Sequence, residues 1–243
     1  MTTTSKQPRN AIESARRTIE LELRAVEQLQ HRIDESFTHA VELLSAVKGR
    51  VIVSGMGKSG HIGNKIAATL ASTGTPAQFV HPAEACHGDM GMITRSDAAL
   101  LMSNSGTTAE ITALLPLLKR LGLPIVAMTG NPDSTLARAA DAHLNIGVDE
   151  EACPLDLAPT ASTTANLVMG DALAIAMLEQ SGFTAEDFAF THPGGALGRR
   201  LLTRVSDVLV TGSDIPKVSL TMSLADALME ISAKGLGMST VVD

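Results

Sequence analysis

The sequence predicts an α/β protein built on a mostly parallel sheet that helices cover on both faces. From residue 50 onward, short apolar runs alternate with stretches of helical periodicity. The apolar runs are nearly continuous, as in strands buried on both faces, and helical crossovers between such runs are typical of parallel strands. The chain has 243 residues, which is long enough to bury a core of this kind.

Five apolar runs are expected to form the strands. They lie at residues 50–54, 76–80, 98–103, 124–129 and 143–147. Helices are predicted at about 58–72, 107–121, 134–140 and 163–181. Ligands of parallel α/β sheets bind beyond the carboxyl ends of the strands, so the loops that follow the first three runs are the candidate binding loops.

Other segments flank the predicted sheet. In residues 10–47, apolar side chains recur at helical steps, which predicts one long N-terminal helix that packs either on its own domain only or also on another subunit. Glycine and proline mark residues 183–205 as a loop-rich connector, and residues 206–243 read as strand, helix and strand. The predicted organisation is therefore an N-terminal helical segment (1–48), the sheet domain (49–182), the connector (183–205) and a last module (206–243).

Composition and charge argue against several classes of partner. The chain has 19 basic and 26 acidic side chains, a formal charge of −7, no Trp, no Tyr and five Phe. It lacks the basic, aromatic surface of a nucleic-acid binder, so no nucleic-acid partner is expected. Two cysteines make no disulfide framework, the first ten residues lack the apolar core of a signal peptide, and no apolar run approaches the ~20 residues of a membrane span. We expect a cytoplasmic protein without a membrane partner.

The first candidate loop, residues 54–63, is rich in glycine and contains Lys58. Backbone N–H groups in such a turn before a helix can converge on an anion. A Walker P-loop is not expected, because Ile52 stands at the first glycine position of that motif. A dinucleotide fingerprint fits literally, but no acid follows at the end of the second run. A sugar-phosphate site, or glycines that serve packing alone, are the other interpretations.

The third candidate loop, residues 103–110, carries four hydroxyl side chains within six positions. A helix N-cap needs only one of them, and a cluster at a helix N-terminus can receive phosphate oxygens. Gly106 permits close approach of the backbone. Glu110, one turn inside the helix, either complements the helix dipole or faces the ligand beside Lys58.

The second loop and an acidic turn supply further polar groups. Residues 81–91 could bind a metal by composition, but their spacing matches no strong zinc signature, and His87 is favoured as a substrate contact or proton-transfer group. Residues 149–151 are all acidic, and form either a solvated surface or a base near a bound phosphosugar. Aldose–ketose interconversion through an enediolate needs such a base, together with donors where negative charge develops on oxygen.

Several segments together resemble the SIS-domain D-arabinose 5-phosphate isomerases: SGMGKSGHIG, STGTPAQFVHPAEACHGDMG, SNSGTTAEI, EEACPLDLAPTASTTA, MGDALAIAML and HPGGALGRRLL. The similarity runs from about residue 10 to 205, and residues 206–243 resemble the first half of a CBS module. The resemblance implies a three-layer αβα sandwich (the SIS fold), a homotetramer, and interconversion of D-ribulose 5-phosphate and D-arabinose 5-phosphate for the synthesis of Kdo, a sugar of lipopolysaccharide. It implies no required metal or cofactor, although zinc can inhibit such enzymes.

The resemblance also implies roles for individual residues. The catalytic group would be Lys58, Glu110, Glu151 and His192. The substrate contacts would be Ser54, Gly74, Thr75, His81, His87, Ser103, Ser105 and Thr108. His81 would also be the contact for inhibitory zinc. Which carboxylate is the base stays open, and His192 could reach the site of a neighbouring subunit.

Thr107 and Asp156 depart from the family pattern, which usually has an acid and a glycine at these positions. Neither departure is expected to touch the four proposed catalytic residues. Three other functions compete: a regulatory SIS protein that binds a phosphosugar without converting it, an isomerase of a different phosphosugar, and a nucleotide-dependent dehydrogenase. Four titratable groups exceed what binding alone needs, which favours an enzyme.

Overall fold

The computed structural model describes residues 10–243, with the backbone alone at 196 and 197, in two compact units that meet at Thr191 and His192. The first unit contains a five-stranded sheet in the order β2-β1-β3-β4-β5, in which every neighbouring pair is parallel. The strands are β1 (Val51–Gly55), β2 (Ala77–Phe79), β3 (Ala98–Met102), β4 (Ile125–Thr129) and β5 (Ala142–Asn145). All five predicted strands and the predicted α/β class are confirmed.

Helices cover both faces of this sheet. They are α1 (Ala11–Gln30), α2 (Glu35–Ser45), α3 (Gly57–Ser72), α4 (Pro82–Ala85), α5 (Ala109–Thr112), α6 (Leu115–Leu121), α7 (Thr135–Ala139), α8 (Ala161–Ser181) and α9 (Ala185–Thr191), with a 3₁₀ turn at Asp89–Met92. Strand side chains alternate between two cores: Val51 and Val53 pack with α2, α3 and α8, whereas Ile52 packs with α5 and α6. The unit is therefore a three-layer αβα sandwich.

The second unit, from His192 to Asp243, is small. It contains α10 (Ala196–Leu202), α11 (Val205–Val208), a 3₁₀ turn at Gly212–Asp214, β6 (Lys217–Ser219), α12 (Leu224–Lys234) and β7 (Thr240–Val242). The strands β6 and β7 pair in parallel, which confirms the predicted strand–helix–strand order. Leu220 and Leu224 are 75% and 77% exposed, because two strands and one helix cannot cover their own apolar side chains. The resemblance of this unit to a CBS module stays a prediction.

Three predicted segments differ in the structure. The single N-terminal helix is wrong: α2 starts anew after residues 31–34, because Asp34 caps it by accepting a hydrogen bond from the Ser36 N–H at 2.9 Å. The helix at 107–121 splits into α5 and α6, with Pro116 in the first turn of α6, where a missing N–H costs little. The connector is largely helical, and Asp187 starts α9 by accepting hydrogen bonds from Thr184.

The contact between α3 and α8 determines where the polar loops meet. Gly170 of α8 packs against Ile66 of α3 with no room for a Cβ, and Lys65 pairs with Asp171. Further along both helices, the residue after α3's C-cap, Gly74, lies against the ring of Phe183. Because these contacts advance in one direction, α3 and α8 run parallel and their N-termini lie side by side, at an interaxial distance of roughly 8–10 Å.

The helix α8 is the one described helix that is long and apolar enough to cross a membrane by length and composition. Half of its most apolar window is buried inside the unit, where it packs against α1, α2 and α3. Its polar residues Ser162 and Asn166 are buried as well. This is the pattern of a core helix.

Candidate active site

The strand order creates a crevice between β1 and β3. The chain leaves β1 toward β2 on one side and continues from β3 toward β4 on the other, so the two loops that follow β1 and β3 diverge. Gly55 pairs with Met102, which are the last residues of the two strands. The loop with Lys58 and the loop with the hydroxyl side chains therefore begin next to each other.

The N-terminus of α3 offers a positive charge and free amides to this crevice. Met56 precedes the 16-residue helix without a side-chain cap. Lys58 is exposed and forms no ion pair or hydrogen bond with any residue of the described chain. A Cβ at Gly60 would lie 2.6 Å from the Gly55 carbonyl oxygen, so these two glycines serve close packing. The helix dipole and Lys58 both favour an anion here.

The loop after β3 gathers its hydroxyls around Ser103. The Ser103 Oγ lies 2.7 Å from Thr108 Oγ1 and 3.5 Å from Ser105 Oγ, and it accepts a hydrogen bond from the Gly106 N–H at 3.1 Å. Gly106 has a φ of +67°, and a Cβ there would collide with Ser134 Oγ. The structure thus brings together the three predicted phosphate contacts of this loop, in a turn that only glycine permits at position 106.

The loop after β2, the strand beside β1, adds two histidines at the carboxyl edge of the sheet. Ser54 is buried and donates a hydrogen bond to the Val80 carbonyl at 2.7 Å, so its hydroxyl joins the ends of β1 and β2. His81 precedes α4, and its Nδ1 is buried without a hydrogen-bond partner among the described residues. His87 is exposed in the turn that follows.

Within residues 10–243, no three His, Cys, Asp or Glu side chains group around a common point as metal ligands. Zinc in proteins takes four ligands in its structural sites, and His81 supplies one imidazole. The described residues therefore present no complete zinc site, and contact of an inhibitory zinc ion with His81 stays a prediction.

Glu151 is held at the N-terminus of α8. Its Oε2 accepts hydrogen bonds from the Thr160 N–H at 2.7 Å, the Thr160 hydroxyl at 3.0 Å and the Ser162 N–H at 3.3 Å. The Ser162 side chain is a further hydrogen-bond partner of this carboxylate. Burial acts to raise the pKa of this carboxyl, but hydrogen bonds from Ser162 and Thr160 outweigh burial and lower the pKa below its ordinary value. Glu151 is therefore ionised at neutral pH.

The parallel packing of α3 and α8 places Glu151 near Lys58. Glu151 caps α8, Lys58 lies in the first turn of α3, and the two N-termini are neighbours. Glu110 lies in α5, half-buried, and makes no hydrogen bond or ion pair within the described chain. One edge of the sheet thus carries Lys58, both candidate carboxylates and the hydroxyl loop.

Two predicted site residues lie elsewhere in the first compact unit, and a third belongs to the second unit. Gly74 and Thr75 precede β2, whose first residue Ala77 pairs with the first residue of β1, so they lie at the amino-terminal edge of the sheet. Within one copy of the chain they do not line the same crevice as Lys58. His192 begins the second compact unit. The roles of all three in substrate binding or catalysis stay predictions.

The three acidic residues at 149–151 do not share one role: two lie on the surface, and one lies at the candidate site. Asp149 accepts a hydrogen bond from Gln28 at 2.6 Å, and Glu150 forms an exposed ion pair with Arg24 at 3.4 Å. Only Glu151 turns toward the α8 N-terminus. Two of the acids therefore belong to the surface contact with α1, and the third belongs to the site.

Asp156 contacts a proposed catalytic residue, contrary to the expectation that this departure is remote from them. Its Oδ1 accepts a hydrogen bond from the Glu151 N–H at 3.1 Å. It is also the one described non-glycine residue with positive φ, at +53°. A family glycine at this position is explained by the left-handed backbone, which aspartate tolerates better than most residues.

Replacing Asp156 by glycine and by alanine separates these two effects. Asp156→Ala loses the hydrogen bond and keeps the left-handed backbone, so we expect a loss of roughly 1–2 kcal/mol in the free energy of unfolding. In Asp156→Gly the relief of backbone strain offsets the lost hydrogen bond, and the change is within about 0.5 kcal/mol. Urea denaturation measures both. Equal losses in the two variants would show that the left-handed backbone at residue 156 does not affect the free energy of unfolding.

Sequence reasoning missed two residues that hold Glu151. Thr160 binds its carboxylate directly, and Arg17 of α1 donates a hydrogen bond to the Ala152 carbonyl at 2.5 Å. A threonine before a helical pattern is a recognisable N-cap signal. Nothing in the local pattern marks Arg17, whose partner lies 135 residues away.

Comparison with known proteins agrees with this geometry. The SIS domain family model matches residues 43–176. Arabinose 5-phosphate isomerase KdsD of Pseudomonas aeruginosa is 66% identical over 232 residues, which cover 96% of this chain and 71% of that protein. Arabinose 5-phosphate isomerase KdsD of Escherichia coli K12 is 57% identical over 231 residues, or 95% of this chain and 70% of that protein.

A solved structure shares the fold. A protein of E. coli CFT073 in complex with arabinose 5-phosphate superposes with a TM-score of 0.73 at 43% sequence identity, over 79% of this chain and all of that one. The chain therefore belongs to the SIS domain family and, within it, to the arabinose 5-phosphate isomerases.

Proposed function

We propose that this protein interconverts D-ribulose 5-phosphate and D-arabinose 5-phosphate. One observation carries the proposal: parallel packing of α3 and α8 sets Lys58 and an ionised Glu151 at adjacent helix N-termini, beside the Ser103–Thr108 hydroxyl loop. A cation, a fixed carboxylate and a cluster of donors are the groups that an enediolate reaction of a phosphosugar needs.

The phosphate binds at the loop after β3. The hydroxyls of Ser105 and Thr108 already lie 3.5 Å and 2.7 Å from that of Ser103, so the geometry of the loop is set before substrate arrives. The uncapped N-terminus of α3 faces the same crevice, and its dipole attracts the dianion. Anchoring the phosphate there leaves the carbonyl end of the sugar for Lys58 and the carboxylates.

Glu151 moves the proton between carbons one and two. From ribulose 5-phosphate, it removes a proton from C1, and the electron pair of that bond forms the C1–C2 double bond while the C2 carbonyl oxygen gains negative charge. Lys58 neutralises this oxygen. The C1 hydroxyl proton then passes to the C2 oxygen, which becomes a hydroxyl. As the C1 oxygen forms the aldehyde carbonyl, the electron pair of the C1–C2 double bond takes the proton from Glu151 at C2, and the carboxylate is restored. Glu151 suits this step because hydrogen bonds from Thr160 and Ser162 fix the orientation of its carboxylate.

Several finer features belong to the same proposal. The reaction requires no metal or organic cofactor, zinc inhibits by contact with His81, and His87 or His192 assists ring opening or proton relay. The enzyme works in the cytoplasm as a homotetramer, and its product supplies the synthesis of Kdo. The exchange of a proton between adjacent carbons needs no redox group, which supports the absence of a cofactor.

An isomerase assay tests the proposal. Purified protein is incubated with D-ribulose 5-phosphate in the presence of EDTA, and formation of D-arabinose 5-phosphate is measured. A panel of hexulose and heptulose phosphates is assayed as alternative substrates. We expect ribulose 5-phosphate to be converted to arabinose 5-phosphate with a higher kcat/KM than that of any other substrate in the panel. Tight binding of the sugar without turnover would instead favour a regulatory phosphosugar-binding protein.

The outer face of α1 provides a test of the proposed tetramer. Ile12, Ile19 and Leu23 lie on this helix with 58–60% of their surface exposed, which supports burial against another subunit. We expect light scattering to give the mass of four copies for the wild-type chain. The double substitution Ile19→Glu and Leu23→Glu is expected to lower that mass, whereas Glu20→Gln on the same helix is expected to leave it unchanged. A double mutant that stays tetrameric would show that this face of α1 is not part of the subunit interface.

A further inference from the structure

The segment that carries Glu151 is attached to α1 by a row of side chains. We call residues 147–152 the strap. Arg32 donates to the Gly147 carbonyl, Gln28 to the Asp149 carboxylate, and Arg17 to the Ala152 carbonyl. Arg17 and Gln28 lie on one face of α1, and Arg32 lies in the turn just after its end, so this helix and its following turn hold the strap along its length.

Hydrogen bonds on both sides of the Ala152 backbone connect Arg17 to the carboxylate. The Arg17 Nη2 donates to the Ala152 carbonyl at 2.5 Å, and the N–H of Ala152 donates to Thr160 Oγ1 at 2.9 Å. Thr160 Oγ1 in turn donates to Glu151 Oε2 at 3.0 Å. Ala152 is 3% exposed, so its carbonyl is largely shielded from solvent that could replace Arg17.

We propose that Arg17 is a positioning residue, which orients the Glu151 carboxylate through Ala152 and Thr160. The proposal deepens the proposed function and rests on it, because it assigns a residue of α1 to the proton-transfer group. A guanidinium hydrogen bond to a buried carbonyl is charge-assisted and stronger than a neutral one.

Two further observations single out Arg17 from the other cations of α1. The Arg24 contact with Glu150 joins two side chains that are each more than half exposed, and such pairs contribute little. Arg17 is half-buried, and its Nε is buried without a partner among the described residues. A buried donor without a partner costs free energy, so the contacts that hold this guanidinium at the strap must offset that cost.

Other titratable groups line the cavity of about 450 Å³ beside Glu151. Arg17 and Arg24 face it from α1, and Glu150, Cys153 and Asp156 face it from the loop before α8. Backbone N–H groups of Ala158, Leu157 and Leu155 lower the pKa of the Cys153 thiol. Any pH measurement on Glu151 is therefore repeated in the Cys153→Ala background, which removes the titrating thiol.

The first test is a titration that does not need turnover. The Glu151 carboxyl is followed by ¹³C NMR in the full chain and assigned by its loss in Glu151→Gln. We expect a pKa below the ordinary glutamate value in the wild type and a rise toward that value in Arg17→Met, because the Thr160 hydrogen bonds loosen. Arg17→Lys, which keeps the charge and the packing, is expected to lie between them. The same Glu151 pKa in wild type, Arg17→Met and Arg17→Lys would overturn the proposal.

The second test measures kinetics. Arg17→Met is expected to lower kcat roughly 10- to 100-fold with KM changed less than threefold, and to move the acid limb of the kcat–pH profile upward. Arg16→Met is the control with unchanged kinetics, because Arg16 is exposed and makes no hydrogen bond or ion pair in the described chain. A lower melting temperature with wild-type kcat and acid limb would show a structural role only. Absence of isomerase activity in the wild type would refute the proposed function and leave the titration to decide on Arg17.

Discussion

Replacing Lys58 with alanine is expected to lower kcat by roughly 10²–10³-fold while the protein stays folded. Lys58 is exposed in the first turn of α3 and makes no ion pair or hydrogen bond within the described chain, so the fold does not depend on its ammonium group. The loss falls on kcat because the charge it neutralises develops on the sugar oxygen in the transition state. Steady-state kinetics with ribulose 5-phosphate, alongside circular dichroism, measure both effects.

Lys65→Ala provides the matched control for this substitution. Lys65 lies on the same helix and pairs with Asp171 of α8, at a partly exposed position. Its removal is expected to cost at most about 1 kcal/mol of stability and to leave kcat unchanged. Near wild-type turnover in Lys58→Ala would remove Lys58 from the mechanism.

The substitution Glu151→Gln is expected to lower kcat by roughly 10²–10⁴-fold, since an amide accepts hydrogen bonds but removes no proton from carbon. The amide oxygen can still accept from the Thr160 and Ser162 N–H groups, so α8 keeps its cap. Glu150→Gln, which alters the neighbouring exposed acid paired with Arg24, is the control with near wild-type kcat. A larger loss in Glu110→Gln than in Glu151→Gln would transfer the base role to Glu110.

The pH dependence of stability provides a second measurement on Glu151. Its pKa in the folded protein is lowered, so the folded state binds a proton more weakly than the unfolded chain. The resulting stabilisation is present above the unfolded-state pKa of glutamate and is lost as pH falls through the lowered folded-state pKa. Thermal unfolding followed from pH 7 to pH 3 is expected to show a smaller decline in Glu151→Gln than in the wild type. Identical curves would show that the hydrogen bonds to Glu151 do not stabilise the fold.

Much of the sheet and part of the site could be predicted from the sequence, because their signals are local. Five continuous apolar runs marked the strands, and the hydroxyl cluster at residues 103–108 marked a loop at the carboxyl edge. The break between α1 and α2 was hidden, because Ile33 and Phe37 continue the apolar spacing across it. Only the Asp34 cap, a shorter signal than the periodicity, indicated the restart.

The supports of Glu151 could not be predicted, because they depend on tertiary packing. Arg17 lies on a helix face whose charges read as solvated, and only the packing of α1 on α8 brings it to Ala152. The position of Gly74 and Thr75 within one copy of the chain also depends on how the strands are arranged. Both precede a strand, and parallel strands put such residues at the edge opposite the binding loops.

Solvent isotope incorporation tests the central claim most directly. Ribulose 5-phosphate is converted in D₂O by the wild-type protein, and the arabinose 5-phosphate formed is analysed by NMR and mass spectrometry. Proton transfer by a carboxylate through an enediolate predicts deuterium at C2 of the product, and loss of this exchange in Glu151→Gln. Product formed without any deuterium on carbon would contradict proton transfer by a carboxylate that exchanges with solvent.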